Sequence, residues 1–140
     1  MRKLLLDAYA VLAWLEEEPG YLFVRDLLRQ AQAGQIWCGV CAINLGEVYY
    51  RTCRKHSLPQ ADKHLALLLR LPWEIIAADN DLVWDAATIK GRHRLSYADA
   101  FFVACARRHG ADLVTNDPEI KVLPERPPVI WPGVGDTPKE

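Results

Sequence analysis

The regular exchange of short apolar runs with longer segments of helical period constrains this chain more than any other feature. Lys3 to Leu6, Gln35 to Val40, Trp73 to Ala78, Asp112 to Thr115 and Val129 to Trp131 are short and mostly apolar, which reads as buried strands. Helical stretches separate them. Ala8 to Glu16 forms one, and a second opens at Pro19, runs to Ala33 and stops at Gly34. Ile43 to Lys55 and Gln60 to Leu71 follow, the latter closed by Pro72. Asp79 caps a helix through Lys90, and Ser96 begins another that reaches His109 before Gly110. Parallel neighbours need crossover connections, and helices between successive strands supply them. The expected fold is therefore α/β, an α/β/α sandwich around a central parallel sheet. Ligands of such sheets collect beyond the carboxyl ends of the strands, so polar residues placed there are informative.

With 140 residues, 51% hydrophobic and 25% charged, the chain suits one ordered domain with its own core. The expectation is a single domain over residues 1–131, with residues 132–140, rich in Pro and Gly, as a tail that frays. Lys+Arg 17 against Asp+Glu 18 gives a formal net charge of -1, so affinity for a polyanion has to come from a local basic patch. Asp7 breaks the apolar start, and Glu16 to Glu18 stand where a signal peptide would need small residues. No stretch is long and apolar enough to cross a bilayer, and the expected location is cytoplasmic. The 4 cysteines fit reduced thiols in that compartment.

The acids occupy telling positions. Asp7 directly follows the first strand, Asp117 lies just past the fourth, Asp99 sits in the first turn of a helix, and Glu47 lies one turn into another. Packed in one layered domain, all of them can face a single crevice. A few carboxylates plus waters satisfy the octahedral shell of a hard cation such as Mg²⁺ or Mn²⁺. Each acid also has a purely structural reading. Asp7 can cap the helix at Ala8, and Asp99 can complete a capping box with Ser96. Asp117 before Pro118 has the form of an N-cap, and Glu47 can pair with Arg51 one turn on. Periodicity alone leaves both readings open.

The segments LLLDAYAVLAWL, INLGEVYYR, LSYADAFFVACA and LVTNDPEI resemble the ordered motifs of PIN-domain nucleases, VapC-like toxins among them. They follow that family's order and spacing and frame nearly the whole chain. The resemblance implies a PIN-like sandwich and an endoribonuclease dependent on Mg²⁺ or Mn²⁺, whose ions promote in-line attack on an RNA phosphodiester. It carries Asp7, Glu47, Asp99 and Asp117 over as catalytic and metal-binding residues, with Thr115 as a supporting hydroxyl and Glu119 as a further candidate ligand. It also implies the toxin of a toxin–antitoxin pair, a homodimer that takes RNA as substrate and is masked by a small antitoxin protein. Two departures stand out. Ala8 and Tyr9 follow Asp7 where many relatives have Ser or Thr, and Pro118-Glu119-Ile120 replaces the common acid-then-Phe ending.

Basic residues gather at two places, Arg51, Arg54, Lys55 and His56 at one helix end, and Arg92 and Arg94 ahead of the Asp99 helix. Helix C-termini favour cations on structural grounds alone; as a group these residues can cradle RNA phosphates. A different enzyme class competes. Trp37-Cys38-Gly39-Val40-Cys41 resembles the active-site motif of thioredoxin-like thiol–disulfide oxidoreductases, at a strand-to-helix junction where a thiol pKa would fall. That reading leaves the later Asp99 and Asp117 segments without a role, and its alternative is two cysteines packed as small apolar residues. A zinc site from Cys38, Cys41, Cys53 and a histidine lacks a second closely spaced pair. A third reading is a non-catalytic RNA-binding module on the same fold, against which the presence of all four acids speaks.

Overall fold

The computed structural model describes residues 1–132. At its centre lies a sheet of 5 strands, β1 (Arg2–Leu6), β2 (Ile36–Cys41), β3 (Glu74–Ile76), β4 (Asp112–Val114) and β5 (Val129–Ile130). Every pairing is parallel, and the order across the sheet is β3-β2-β1-β4-β5. Among the described residues seven helices connect these strands: α1 (Ala8–Leu15), α2 (Tyr21–Gln32), α3 (Ala42–Lys55), α4 (Leu58–Leu68), α5 (Asn80–Arg92), α6 (Tyr97–His109) and α7 (Pro118–Lys121). The expected α/β/α arrangement around a central parallel sheet is the one the chain adopts.

The two-residue repeat of a strand distributes its apolar run between two cores. Leu4 and Leu6 of β1 face one side, with Val11, Val24, Leu28, Val48 and Leu68 from α1 to α4. Leu5 faces the other, with Leu82, Ile89 and the apolar residues of α6. Residues Ala100 to Ala106 of α6 are all buried, and the small ones among them let the helix pack closely on β1, β2 and β4.

Several expected boundaries move, each for a local reason. The second helix starts at Tyr21 rather than Pro19, because Gly20, at φ 98, makes the N-cap turn. The indole of Trp131 fills the space a Cβ at residue 20 would need. Helix α4 starts at Leu58, since the Ser57 hydroxyl accepts from the Gln60 amide and Pro59 is tolerated in a first turn; it ends at Leu68, before Pro72. Strand β3 is shorter than Trp73 to Ala78, as befits an edge strand whose partner is β2 alone. Of the expected tail, Pro132 is described and residues 133–140 lie outside the described residues. No helix among the described residues is long and apolar enough to cross a membrane.

The chain builds β2 and β3 on one side of β1 before returning to place β4 and β5 on the other. The carboxyl ends of β1 and β4 therefore flank the point where strand order reverses, the crevice in which open parallel sheets take ligands.

Candidate active site

Asp7 is the first residue beyond β1, and its amide donates to the Val114 carbonyl across that crevice at 3.4 Å. One Asp7 oxygen accepts from the Ala10 amide at 2.9 Å, capping α1, and the other accepts from the Thr115 hydroxyl. The Thr115 oxygen accepts in turn from the Asp117 amide at 3.0 Å. Thr115 thus links the ends of β1 and β4 and fixes Asp7 and Asp117 relative to each other. Asp117 caps α7 by accepting from the Glu119 amide at 2.9 Å, and the Asp99 amide donates to Ser96 Oγ at 3.1 Å in the first turn of α6. Glu47 accepts from Arg51 at 2.8 Å. The caps expected of Asp7 and Asp117, the Ser96 half of the expected capping box and the Glu47–Arg51 pair all form, and they coexist with close approach of the acids.

Carboxylate oxygens of Asp99, Asp117 and Glu119 all lie within 4.8 Å of one another. That span suits ligands on one hard cation, whose metal–oxygen distances are about 2.0–2.6 Å. The donors are all oxygen, which favours Mg²⁺ or Mn²⁺ over softer ions. Asp7 lies deeper, 3% exposed. Burial pushes its pKa up to about 7 against the bonds from Thr115 and Ala10, and the charges of Asp99 and Asp117 add to the rise. Asp99 is also pushed up to about 7, first by burial and then by the charge of Asp117, with Glu47 contributing and the Ser96 bond opposing. Asp7 and Glu47 therefore belong to the same electrostatic unit as the cluster, although neither falls within its tightest group. Of the acids marked in the sequence, Asp99, Asp117 and the further candidate Glu119 form that tightest group.

Two further residues shape the site without having been singled out from sequence. Asn44 is 1% exposed, and its amide donates to the Ala98 carbonyl at 3.2 Å, tying α3 to the first turn of α6 beside Asp99. Its signal was a polar residue on the buried stripe of α3, one turn before Glu47. Asn116 accepts from Lys121 and donates to the Tyr9 hydroxyl at 3.4 Å; only its place beside Asp117 marks it in the sequence.

The basic residues separate. Arg51 pairs with Glu47, Lys55 with Glu16 at 2.9 Å, and the Arg54 guanidinium lies 5.0 Å from the Tyr50 ring centre. Arg92 borders a different cavity, about 410 Å³, with Arg107 and Arg108, and Arg94 is exposed in the turn before α6.

The cysteine motif is a packing feature. Residues three apart on a strand point to opposite faces, so Cys38 packs in the core beneath α1 to α4 and Cys41 in the core beneath α5 and α6. Burial holds the Cys38 thiol up at about 12. Trp37 folds over Gly39, where a Cβ would meet the indole at 2.3 Å, and stacks on His109 at 5.4 Å. A dithiol centre at Cys38 and Cys41 is thereby excluded. Among the described residues, the side chains close enough to share an ion include no cysteine, which removes the zinc reading as well.

The PIN domain family model matches residues 4–125. No curated protein matches the chain. Solved structures do. DNA-bound VapBC from Salmonella typhimurium aligns with TM-score 0.73 at 16% identity, covering 93% of this chain and 98% of that one. VapC20 of Mycobacterium tuberculosis, a sarcin–ricin loop cleaving toxin, aligns with TM-score 0.64 at 17% identity over 79% of this chain and 86% of its own. VapBC-5 of the same organism, a member of the VapBC family of toxin–antitoxin systems, gives 0.58 at 16% identity over 93% and 97%. At these identities the likeness is one of fold.

Proposed function

Because this chain belongs to the PIN-domain family, we propose that it is an endoribonuclease that depends on Mg²⁺ or Mn²⁺ and cuts single-stranded RNA. The observation that carries the proposal is the approach of Asp99, Asp117 and Glu119 to within 4.8 Å at the crevice beyond β1 and β4. These three residues hold the cation, and Asp7 and Glu47 complete the acidic site. When bound, the cation supplies Lewis acidity at a scissile phosphodiester. Thr115 keeps Asp7 and Asp117 in register through its hydroxyl, and Asn44 keeps the first turn of α6 seated on α3. Arg51, Arg54 and Lys55 on α3 attract the RNA backbone and line it up with the crevice.

The chain is further proposed to be the toxin of a toxin–antitoxin pair, a homodimer restrained by a small antitoxin protein. Its fold similarity to VapC20, a cleaving toxin, and to VapBC-5, from a toxin–antitoxin family, supports this reading.

The test is cleavage of single-stranded RNA by purified protein. Cutting is expected with Mg²⁺ or Mn²⁺, and neither with a chelator nor in a normally folded Asp99→Asn. Chelator-resistant cutting that survives in the variant would overturn the mechanism. Tight RNA binding with no cutting under any of these conditions would favour the non-catalytic module.

A further inference from the structure

A cavity of about 470 Å³ opens between α1 and α3. Tyr9 and Leu12 line it from α1, Glu16 and Glu18 from the turn after α1, and Arg51, Thr52, Arg54 and Lys55 from α3. It adjoins the acidic crevice. Tyr9 stands two residues after Asp7, its hydroxyl accepts from Asn116 beside Asp117, and Arg51 is the partner of Glu47.

The walls are ordered by chemistry. Tyr9 is held at both ends, its ring edge-on to Trp131 at 5.5 Å and its hydroxyl bonded to Asn116, yet it remains 45% exposed. It is a fixed aromatic ring with exposed surface, and Leu12 adds an apolar wall. Charge is layered around this interior. The Glu16 side chain, 16% exposed, lies low and accepts from Lys55 and His56, while Lys55 and Arg51 are 60% and 57% exposed. With Arg54, also exposed, they place three cations at the mouth, beside the exposed carboxylate of Glu18 and above that of Glu16, which is already engaged. A nucleotide finds both of its requirements, an aromatic surface for the base and cations for the phosphate. The volume lies within the range of small-ligand pockets, about 300–1,000 Å³.

We infer that this cavity seats one unpaired nucleotide of the RNA next to the bond that is cut, its base on Tyr9 and its phosphate on Arg54 and Lys55. The identification of the polymer rests on the ribonuclease reading; the nucleotide-binding cavity does not. Such a seat gives the enzyme a base preference at one position relative to the cut.

Ribonucleoside 5′-monophosphates, added singly to isotope-labelled protein in chelator, probe the cavity by NMR without cleavage. Saturable amide shifts are expected at Tyr9, Leu12 and Thr52, stronger for one base than for the others. They should persist in Tyr9→Phe, which keeps the ring, vanish in Tyr9→Leu and weaken in Arg54→Ala. With RNA and metal, Tyr9→Leu should lower kcat/KM by about tenfold, the loss of one stacked base, and flatten the base preference. Nucleotide binding by a protein that cuts no RNA would support the cavity and remove the nuclease reading. Cleavage with no nucleotide-induced shifts, or shifts that survive in both Tyr9→Leu and Arg54→Ala, would overturn the cavity and leave the nuclease.

Discussion

Asp99 serves a helix and a crevice at once. Its amide donates to the Ser96 hydroxyl at the start of α6, while its carboxyl faces Asp117 and Glu119. The crowding has a cost that pH can reveal. Asp7 and Asp99 titrate at about 7 in the fold, against 3.8 ordinarily. Between those values the folded state keeps protons that the unfolded chain has released, so stability falls as pH rises through the window and levels off above it. Glu16 works the other way: its bonds from His56 and Lys55 lower its pKa, and its contribution is lost only toward the acid end, below 4.5. In chelator, the melting temperature should therefore decline as pH rises from weakly acid toward about 7, and the decline should be shallower in Asp99→Asn. Equal slopes in the two proteins would contradict the shared electrostatic unit. Three of the acids were legible from sequence because strand ends and helix starts mark the crevice of a parallel sheet. Glu119 was marked only by the family resemblance, since its approach to Asp99 depends on how α7 turns after Asp117, which no local spacing records.

At the scale of elements, strand and helix identity was plain because apolar runs and helical periods differ in length and repeat. Ends were less so: Gly20, not Pro19, makes the turn into α2, and the Ser57 cap draws α4 back to Leu58. The cysteine motif falls to its packing alternative, because the alternation of a strand sends Cys38 and Cys41 into separate cores. Helix α7, 4 residues long, is the element on which ligand and cap roles meet, since Asp117 both caps it and belongs to the cluster. Asn caps about as well as Asp. Asp117→Asn should thus melt at or above the wild-type temperature in chelator, because a repelling charge is gone, but rise much less on adding Mn²⁺. Asp117→Ala should lose the Mn²⁺ response too, with relief of repulsion offsetting part of a capping loss of about 1 kcal/mol. A full Mn²⁺ shift in Asp117→Asn would leave the residue as a cap and nothing more.

The whole molecule carries a formal net charge of -1, so the proposed attraction for RNA rests on the α3 rim rather than on the overall field. Exposed apolar side chains, among them Leu22, Leu69 and Trp84 at 58%, 59% and 65%, leave surface for protein contacts. The proposed homodimer should appear as twice the chain mass in light scattering at micromolar concentration; a monomer throughout that range would remove it without touching the chemistry. Parallel-strand topology and acidic side chains coincide in the crevice, the proposed cation site. Anomalous diffraction from crystals soaked in Mn²⁺ tests it most directly. Density bounded by Asp99, Asp117 and Glu119, with Asp7 behind it, is the predicted result. Mn²⁺ bound elsewhere, with that crevice clear at saturating metal, would contradict it.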